Sequence, residues 1–215
     1  MKESQESRPR RAYKSARRQQ QAVNTRAEVL DAALLLFADR GWAGTGMRDV
    51  AREAGVSVET VYANFRSKSD LLMAAINVGV VGDAEPVALA DRPEFAAIAR
   101  GGRQARARAA AHLVTEILQR NGSMIRVLRE AAASDPEAAR LLRQGELQQR
   151  ADVELGASLV AGWPVPTREC QGLWAVMDVE VFRLLTDVSG WTPDEYESWL
   201  AELIDKLIPR RVRSS

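Results

Sequence analysis

The stretch AGVSVETVYANF, residues 54–65, sets a glycine between two short runs of helical character and follows it with Thr60, Tyr62 and Asn64. Gly55 is suited to the left-handed backbone that closes a helix in little space, because it has no Cβ to clash. Ser57 then offers a hydroxyl to cap the helix that continues to about Phe65. Upstream, residues 47–54 make one short helix, opened by Thr45 or Gly46, with Asp49 in the first turns where the positive end of the helix dipole favours a carboxylate. Ala51 and Ala54 are small enough for close approach, and Val56 and Val61 reach into the angle between the helices. Two short helices joined by a three- to four-residue turn holding a glycine form a helix-turn-helix.

Such a unit needs a third helix to cover it, and NTRAEVLDAALLLFADRGWAG, residues 24–44, provides one. Leu30, Ala33, Leu34 and Phe37 recur at helical spacing, with Arg26, Glu28, Asp31 and Asp39 expected to face outward. Gly41 serves as the left-handed residue that ends this helix of about residues 25–40, and Trp42 folds back as its apolar partner.

On the second short helix, Val58, Glu59, Thr60, Tyr62, Ala63 and Asn64 project away from the side that Val61 and Phe65 bury. The second helix of a helix-turn-helix enters the major groove, its early residues against base edges and its flanks against phosphates. Thr60 can donate or accept at either, Tyr62 offers a hydroxyl to a phosphate, Asn64 suits the paired donor and acceptor of adenine, and Val58 suits a thymine methyl. Glu59 is repelled by phosphate; it either accepts from a cytosine amino group or, the reading favoured here, stabilises the helix N-terminus. Arg48 and Lys68, each at the start of a neighbouring helix, reach for the DNA backbone, and backbone amides at Thr45 and Met47 add anion contacts.

The charge distribution bears on the same question. The net charge is +1, yet residues 1–26 hold eight bases against two acids, so the remainder is net −5. Residues 26–73 carry six bases and seven acids, a weak electrostatic footprint for a DNA reader. Residues 1–24 have few large apolar side chains and are expected to be a disordered basic arm that supplies phosphate neutralisation; a plain solubilising tail is the alternative. At 215 residues and 46% apolar content the chain can bury a sizeable core. With 27% charged residues, no apolar run of bilayer length and no secretory leader pattern, it is expected to be cytoplasmic and without a membrane partner. A single cysteine, Cys170, excludes an internal disulfide and reads as a small buried hydrophobe.

Beyond residue 73 the sequence stays helical, so the expected fold is all-α with about nine helices: a helix-turn-helix domain over residues 25–73 and a helical regulatory and dimerisation domain over residues 74–215. Expected breaks fall at residues 79–93, Gly101 and Gly102, Asn121 and Gly122, residues 134–136, residues 162–166 and residues 189–193. Asp135 with Pro136, and Thr192 with Pro193 and Glu195, mark two helix starts. Residues 173–188 read as one helix, apolar on nearly every side. Together with the last helix it carries more apolar surface than a small domain needs, which points to self-association. The candidate interface is Trp174, Met177, Val181, Phe182, Leu185, Trp199, Leu200, Leu203 and Leu207; the alternative is that both helices are internal.

Catalytic and cofactor patterns are missing. Gly44 and Gly46 lack the third glycine and the preceding strand of a dinucleotide fingerprint, and neither a phosphate-loop lysine nor a nucleophile elbow occurs. His112, the only histidine, rules out a multi-histidine metal site and reads as structural or pocket-lining. Arg103, Arg106 and Arg108 read as a solvated face. No enzyme activity and no cofactor are expected.

The first helix ending LFADRGWAGT, the MRDVAREAGVS turn, VYANF and RSKSDLL together resemble the tetracycline-repressor (TetR) family of bacterial transcription regulators over about residues 25–73. The sequence departs from that pattern at Gly46, where a hydroxyl residue is common, and at Asn64, where a histidine is common. The resemblance implies DNA contacts at Thr45, Met47, Arg48, Val58, Glu59, Thr60, Tyr62, Ala63, Asn64 and Lys68. The C-terminal GLWAVMDVEVFRLLTDVSGWTPDEYESWLAELI is similar to the last two helices of many members, which implies a four-helix dimer interface. It further implies a ligand-responsive repressor that binds a palindromic operator on double-stranded DNA as a homodimer and answers to a small-molecule effector. A helical protein-binding module with a degenerate helix-turn-helix is the alternative.

Overall fold

The structure, a computed structural model, describes residues 8–81 and 87–210, with residues 8–19 described by their backbone. The described residues form ten α-helices and no strand: α1 (Arg8–Arg40), α2 (Met47–Glu53), α3 (Val58–Asn64), α4 (Lys68–Val81), α5 (Pro93–Ala97), α6 (Arg103–Ala132), α7 (Pro136–Ala161), α8 (Thr167–Val176), α9 (Val179–Arg183) and α10 (Pro193–Leu207). A 3-10 turn (Leu89–Asp91) precedes α5, and a π-helical turn (Leu184–Val188) follows α9. The chain divides into two compact units, residues 1–75 and 76–215, so the division falls within α4.

In the first unit, Leu30, Ala33 and Phe37 of α1 are buried, together with Val50 and Ala51 of α2, Val61 of α3 and Leu71 and Leu72 of α4. α1 ends as its sequence anticipates: Gly41 has φ +65°, its N–H donates to Phe37 O at 3.0 Å, and the Trp42 ring stacks on Phe37 with 6.2 Å between centroids. Its start differs. Helix begins at Arg8, so residues 8–24 are helical where a disordered arm is expected; residues 1–7 of that expected arm lie outside the described residues. Apolar periodicity detects a face to be buried, and residues 20–24 are all exposed. Helix there follows from backbone preference, since arginine, lysine, glutamine and alanine are good helix formers and Pro9 falls in the first turn.

The second unit is organised on α6. Helix continues through Asn121 and Gly122 where a break is expected. Gly122 sits under Val179, leaving a Cβ only 3.4 Å from that side chain, and Asn121 is buried with its Nδ2 donating to Ile76 O at 3.1 Å. Both residues therefore serve close approach within the helix rather than a turn. Arginines of α6 bind the ends of its neighbours. Arg103 pairs with Asp205 at 2.5 Å and donates to the carbonyls of Asp205 and Ile208, at the C-terminal end of α10. Arg106 donates to Leu159 O at 3.3 Å, near the end of α7. A cation at a helix C-terminus offsets its dipole and satisfies orphan carbonyls. Of the three expected to form a solvated face, only Arg108 is exposed.

Residues 173–188, expected as one helix, are interrupted at Met177 and Asp178. Asp178 caps α9 by accepting from the Glu180 N–H at 2.8 Å, and Arg129 of α6 holds its carboxylate from both nitrogens. Burial alone would raise the Asp178 pKa, but the hydrogen bonds from Arg129 and the Glu180 amide pull it below the ordinary carboxylate value. The interruption explains an apolar pattern that faces every direction: it belongs to two helices with different phases. Both anticipated caps form, with Asp135 accepting from Ala138 N at 2.9 Å and Thr192 and Glu195 closing a capping box.

Cys170 is buried in this unit, and burial pushes its thiol pKa up. Asn121 Oδ1 and Tyr196 OH are buried without a protein partner, and burial raises the Tyr196 pKa.

Candidate DNA-reading surface

The turn that presents α3 is built from few parts. Gly55 has φ +66°, and Val56 N–H reaches back to Ala51 O at 3.0 Å, which ends α2. Ser57 Oγ accepts from Thr60 N–H at 3.2 Å and lies 3.0 Å from Thr60 Oγ1. Val61 is fully buried beneath and Phe65 closes the helix. Gly46 is the N-cap of α2 and has no hydroxyl to give; instead Asp49 Oδ2 accepts from the Gly46 N–H at 3.2 Å, the reciprocal half of a capping box.

The residues expected to touch DNA divide by burial. Glu59, Tyr62 and Ala63 are exposed on one side of α3, Tyr62 at 52%, and Arg48 is exposed on α2. Val58, Thr60 and Asn64 are half-buried. The Asn64 Nδ2 donates to Thr60 O at 2.8 Å, a bond that the expected contact with a base edge would have to replace. Lys68 is half-buried, its ammonium 3.9 Å from the centre of the Trp42 ring and donating to Trp42 O. The two remaining candidates turn inward. Thr45 is 2% exposed, its hydroxyl within 2.9 Å of Gly41 O and 3.0 Å of Leu36 O, and Met47 is 7% exposed in the core. Their side chains hold α2 against α1, so what these two positions offer a duplex is the backbone amide expected of each.

Arg26 departs from its expected outward position. Its guanidinium lies 4.2 Å from the centre of the Phe65 ring and donates to Asn64 O at 3.0 Å, clamping the C-terminal end of α3. The signal was present: Arg26, Leu30, Ala33 and Phe37 share one helical stripe, and charge alone suggested exposure. Arg66, outside the expected set, is exposed on the loop between α3 and α4, beside Asp70.

Two of the expected interface residues, Met177 at 6% exposure and Leu200 at 0%, are core residues of the second unit. They face the interior because the break at Asp178 and the packing of α10 on α6 turn them inward. Trp174, Val181, Phe182, Leu185, Trp199, Leu203 and Leu207 are half-buried, and Leu184 and Val188, not among the expected set, are exposed. Among the described residues no cluster of three or more His, Cys, Asp or Glu can hold a metal, and no helix is long and apolar enough to cross a membrane.

Residues 29–75 match the family model described as "Bacterial regulatory proteins, tetR family". The HTH-type transcriptional regulator AcrR of Shigella flexneri is 42% identical over 52 residues, 24% of this chain and 24% of AcrR, so the matched stretch spans about a quarter of that relative. A transcriptional regulator from Pseudomonas aeruginosa PAO1 superimposes with TM-score 0.65 at 22% identity, covering 85% of this chain and 89% of that one. The multidrug binding protein EbrR, complexed with imidazole, superimposes with TM-score 0.55 at 20% identity, covering 87% and 97%. The last two share the fold. Residues 29–75 thus match the tetR family of bacterial regulatory proteins in sequence, and the chain as a whole shares the fold of these two structures.

Proposed function

We propose that this protein is a sequence-specific transcriptional regulator that binds a palindromic operator as a homodimer and leaves it when a small effector binds. The observation that carries the reading is the exposed Glu59, Tyr62 and Ala63 side of α3, which lies in the segment that matches the family, is held outward by the Gly55 turn and is clamped by Arg26 from just before that segment. A half-buried edge formed by Val181, Phe182, Leu185, Trp199, Leu203 and Leu207, with exposed Leu184 and Val188 beside it, supports pairing of two copies.

For the effector, an open cavity of about 270 Å³ in the second unit is the candidate. Val80, Val81, Leu89 and Leu113 form its apolar wall, and Arg92, Glu94, Glu116 and Arg120 its polar side. The imidazole complex of EbrR is a parallel from a chain of the same fold. An effector acts by binding the DNA-free state more tightly than the bound one, and repression follows where the operator overlaps a promoter. The reading requires no cofactor and no catalysis, and places the protein with DNA in the cytoplasm.

A gel shift of the protein on the region upstream of its own gene, at two salt concentrations, tests it. Retention that survives competitor DNA supports the regulator, with inverted half-sites about one helical turn apart. Binding that any duplex abolishes equally leaves only a protein-binding module.

A further inference from the structure

We propose that Arg26 is a positioning residue for DNA reading: through Asn64 and Phe65 it fixes how α3 is presented to a duplex, without touching the DNA itself. The inference rests on the DNA-binding reading above and deepens it. α3 has seven residues. Closing the first turn of a helix costs more than each later residue returns, so a helix this short is marginal in isolation and takes its place from its contacts. Of its side chains Val61 is wholly buried and the rest are half-buried or exposed, and one anchor leaves rotation about that anchor unopposed. The Ser57 cap, accepting from Thr60 N–H at 3.2 Å, restrains the first turn. Tyr62, Ala63 and Asn64 belong to the last turn, beyond the reach of that cap.

The last turn is restrained from α1. Arg26 Nη1 donates to Asn64 O at 3.0 Å, and the guanidinium carbon lies 4.2 Å from the centre of the Phe65 ring. Phe65 is 1% exposed and leaves the helix with φ −139° and ψ 116°, so the chain turns away directly after Asn64. A guanidinium meets both partners at once because its N–H groups lie in one plane, whose face is free for the ring. An ammonium, a point charge, does not reproduce the pair. Arg26 is itself half-buried, its head group spent on the protein. Base-edge hydrogen bonds need their donors and acceptors held within about 0.5 Å and roughly 10–20° of the productive geometry. The general attraction between bases of the protein and the phosphate backbone has no such requirement. Loosening the last turn of α3 therefore costs sequence selectivity before it costs affinity for duplex as such.

The test uses the full chain, a duplex that the wild type recovers from a random pool and a scrambled duplex of the same length, with binding measured from about 50 to 250 mM salt. Arg26→Lys keeps the charge, and Arg26→Met keeps an unbranched apolar stem against Phe65. Affinities are referred to the folded fraction, taken from melting curves of the same preparations. Both variants are expected to lower the ratio of selected to scrambled affinity about tenfold, the size of one weakened base contact, with the salt slope and the binding of scrambled duplex as in the wild type. The wild-type ratio retained by Arg26→Lys overturns the proposal. Joined to a slope smaller by about 0.9 per protomer in Arg26→Met, that result makes Arg26 a phosphate contact. Joined to a lower melting temperature with the slope and ratio of Arg26→Met intact, it leaves Arg26 a purely structural residue. Where Arg26→Met does not fold, the ratio for Arg26→Lys decides alone. A wild type that selects no duplex overturns the DNA-binding reading itself, before any variant is compared.

Discussion

Asn121 of α6 lies directly against Gly79 of α4: its Nδ2 donates to Ile76 O at 3.1 Å, and a Cβ at residue 79 would fall inside its amide. Arg120 adds a bond from Nε to Gly79 O at 3.1 Å. Two helices thus meet where one has no side chain and the other a buried amide. Gly79→Ala is expected to destabilise the second unit by about 1–3 kcal/mol, as overpacking does, despite alanine's higher helix propensity. Asn121→Ala in the same chain should recover part of that loss. Chemical denaturation of the two single variants and the double checks it; additive losses would deny the contact.

Thr45 and Tyr62 should separate stability from DNA binding. Thr45→Val removes the buried hydroxyl near Leu36 O and Gly41 O and should lower stability by about 1–2 kcal/mol, with operator affinity retained while the protein is folded. Tyr62→Ala removes an exposed side chain. It should leave the melting temperature in place and weaken operator binding roughly tenfold or more, the value of a hydrogen bond to a charged group. Melting curves and filter binding on the same preparations distinguish the two roles.

Leu200 and Leu203 make the equivalent pair on α10. Leu200 is wholly buried, and Leu200→Ala should cost about 2–5 kcal/mol of unfolding free energy. Leu203 is half-buried on the proposed pairing edge, so Leu203→Glu should convert dimer to monomer in sedimentation at micromolar concentration while each copy stays helical. A dimer that survives Leu203→Glu together with Trp199→Glu would place the interface elsewhere.

His112 joins α6 to α10 through a 2.9 Å contact from Nδ1 to Glu197, with Glu116 at 3.7 Å on the other nitrogen. The hydrogen bond to Glu197 is the largest influence on its pKa and raises it; partial burial opposes this, and the charges of Glu197 and Glu116 add to the rise. A raised pKa in the folded state means the protonated ring contributes stability that is complete below the free imidazole value. That contribution is lost as pH rises through the raised value. The ring is mostly exposed, so the effect is held to at most about 1 kcal/mol by solvent. The melting-temperature difference between wild type and His112→Gln should be positive near about pH 5.5 and vanish by about pH 8.5.

The helix-turn-helix was legible because its signals are local. Gly55, Ser57, Gly41 and Trp42 each act within a few residues, and all four sit as their positions imply. The caps at Asp135 and Thr192 were legible for the same reason. Readings failed where a distant residue decides. Asn121 and Gly122 resemble a turn until Ile76 and Val179 are beside them. Residues 173–188 resemble one helix until Arg129 arrives to hold Asp178. Arg26, Arg103 and Arg106 look like surface charges, yet each meets backbone carbonyls of another helix.

From its amino acids alone this chain is helical, opens α2 and α3 around Gly55, and places Tyr62 and Ala63 away from the apolar side of α3, because capping and helical periodicity are short-range effects. Tertiary packing decided that Thr45 and Met47 turn inward, that Met177 and Leu200 belong to the core, and that one α6 arginine holds the α9 cap at Asp178 while two others meet carbonyls near the ends of α7 and α10. Burial and long-range hydrogen bonds depend on what the rest of the fold brings within reach, and no window of sequence contains both partners.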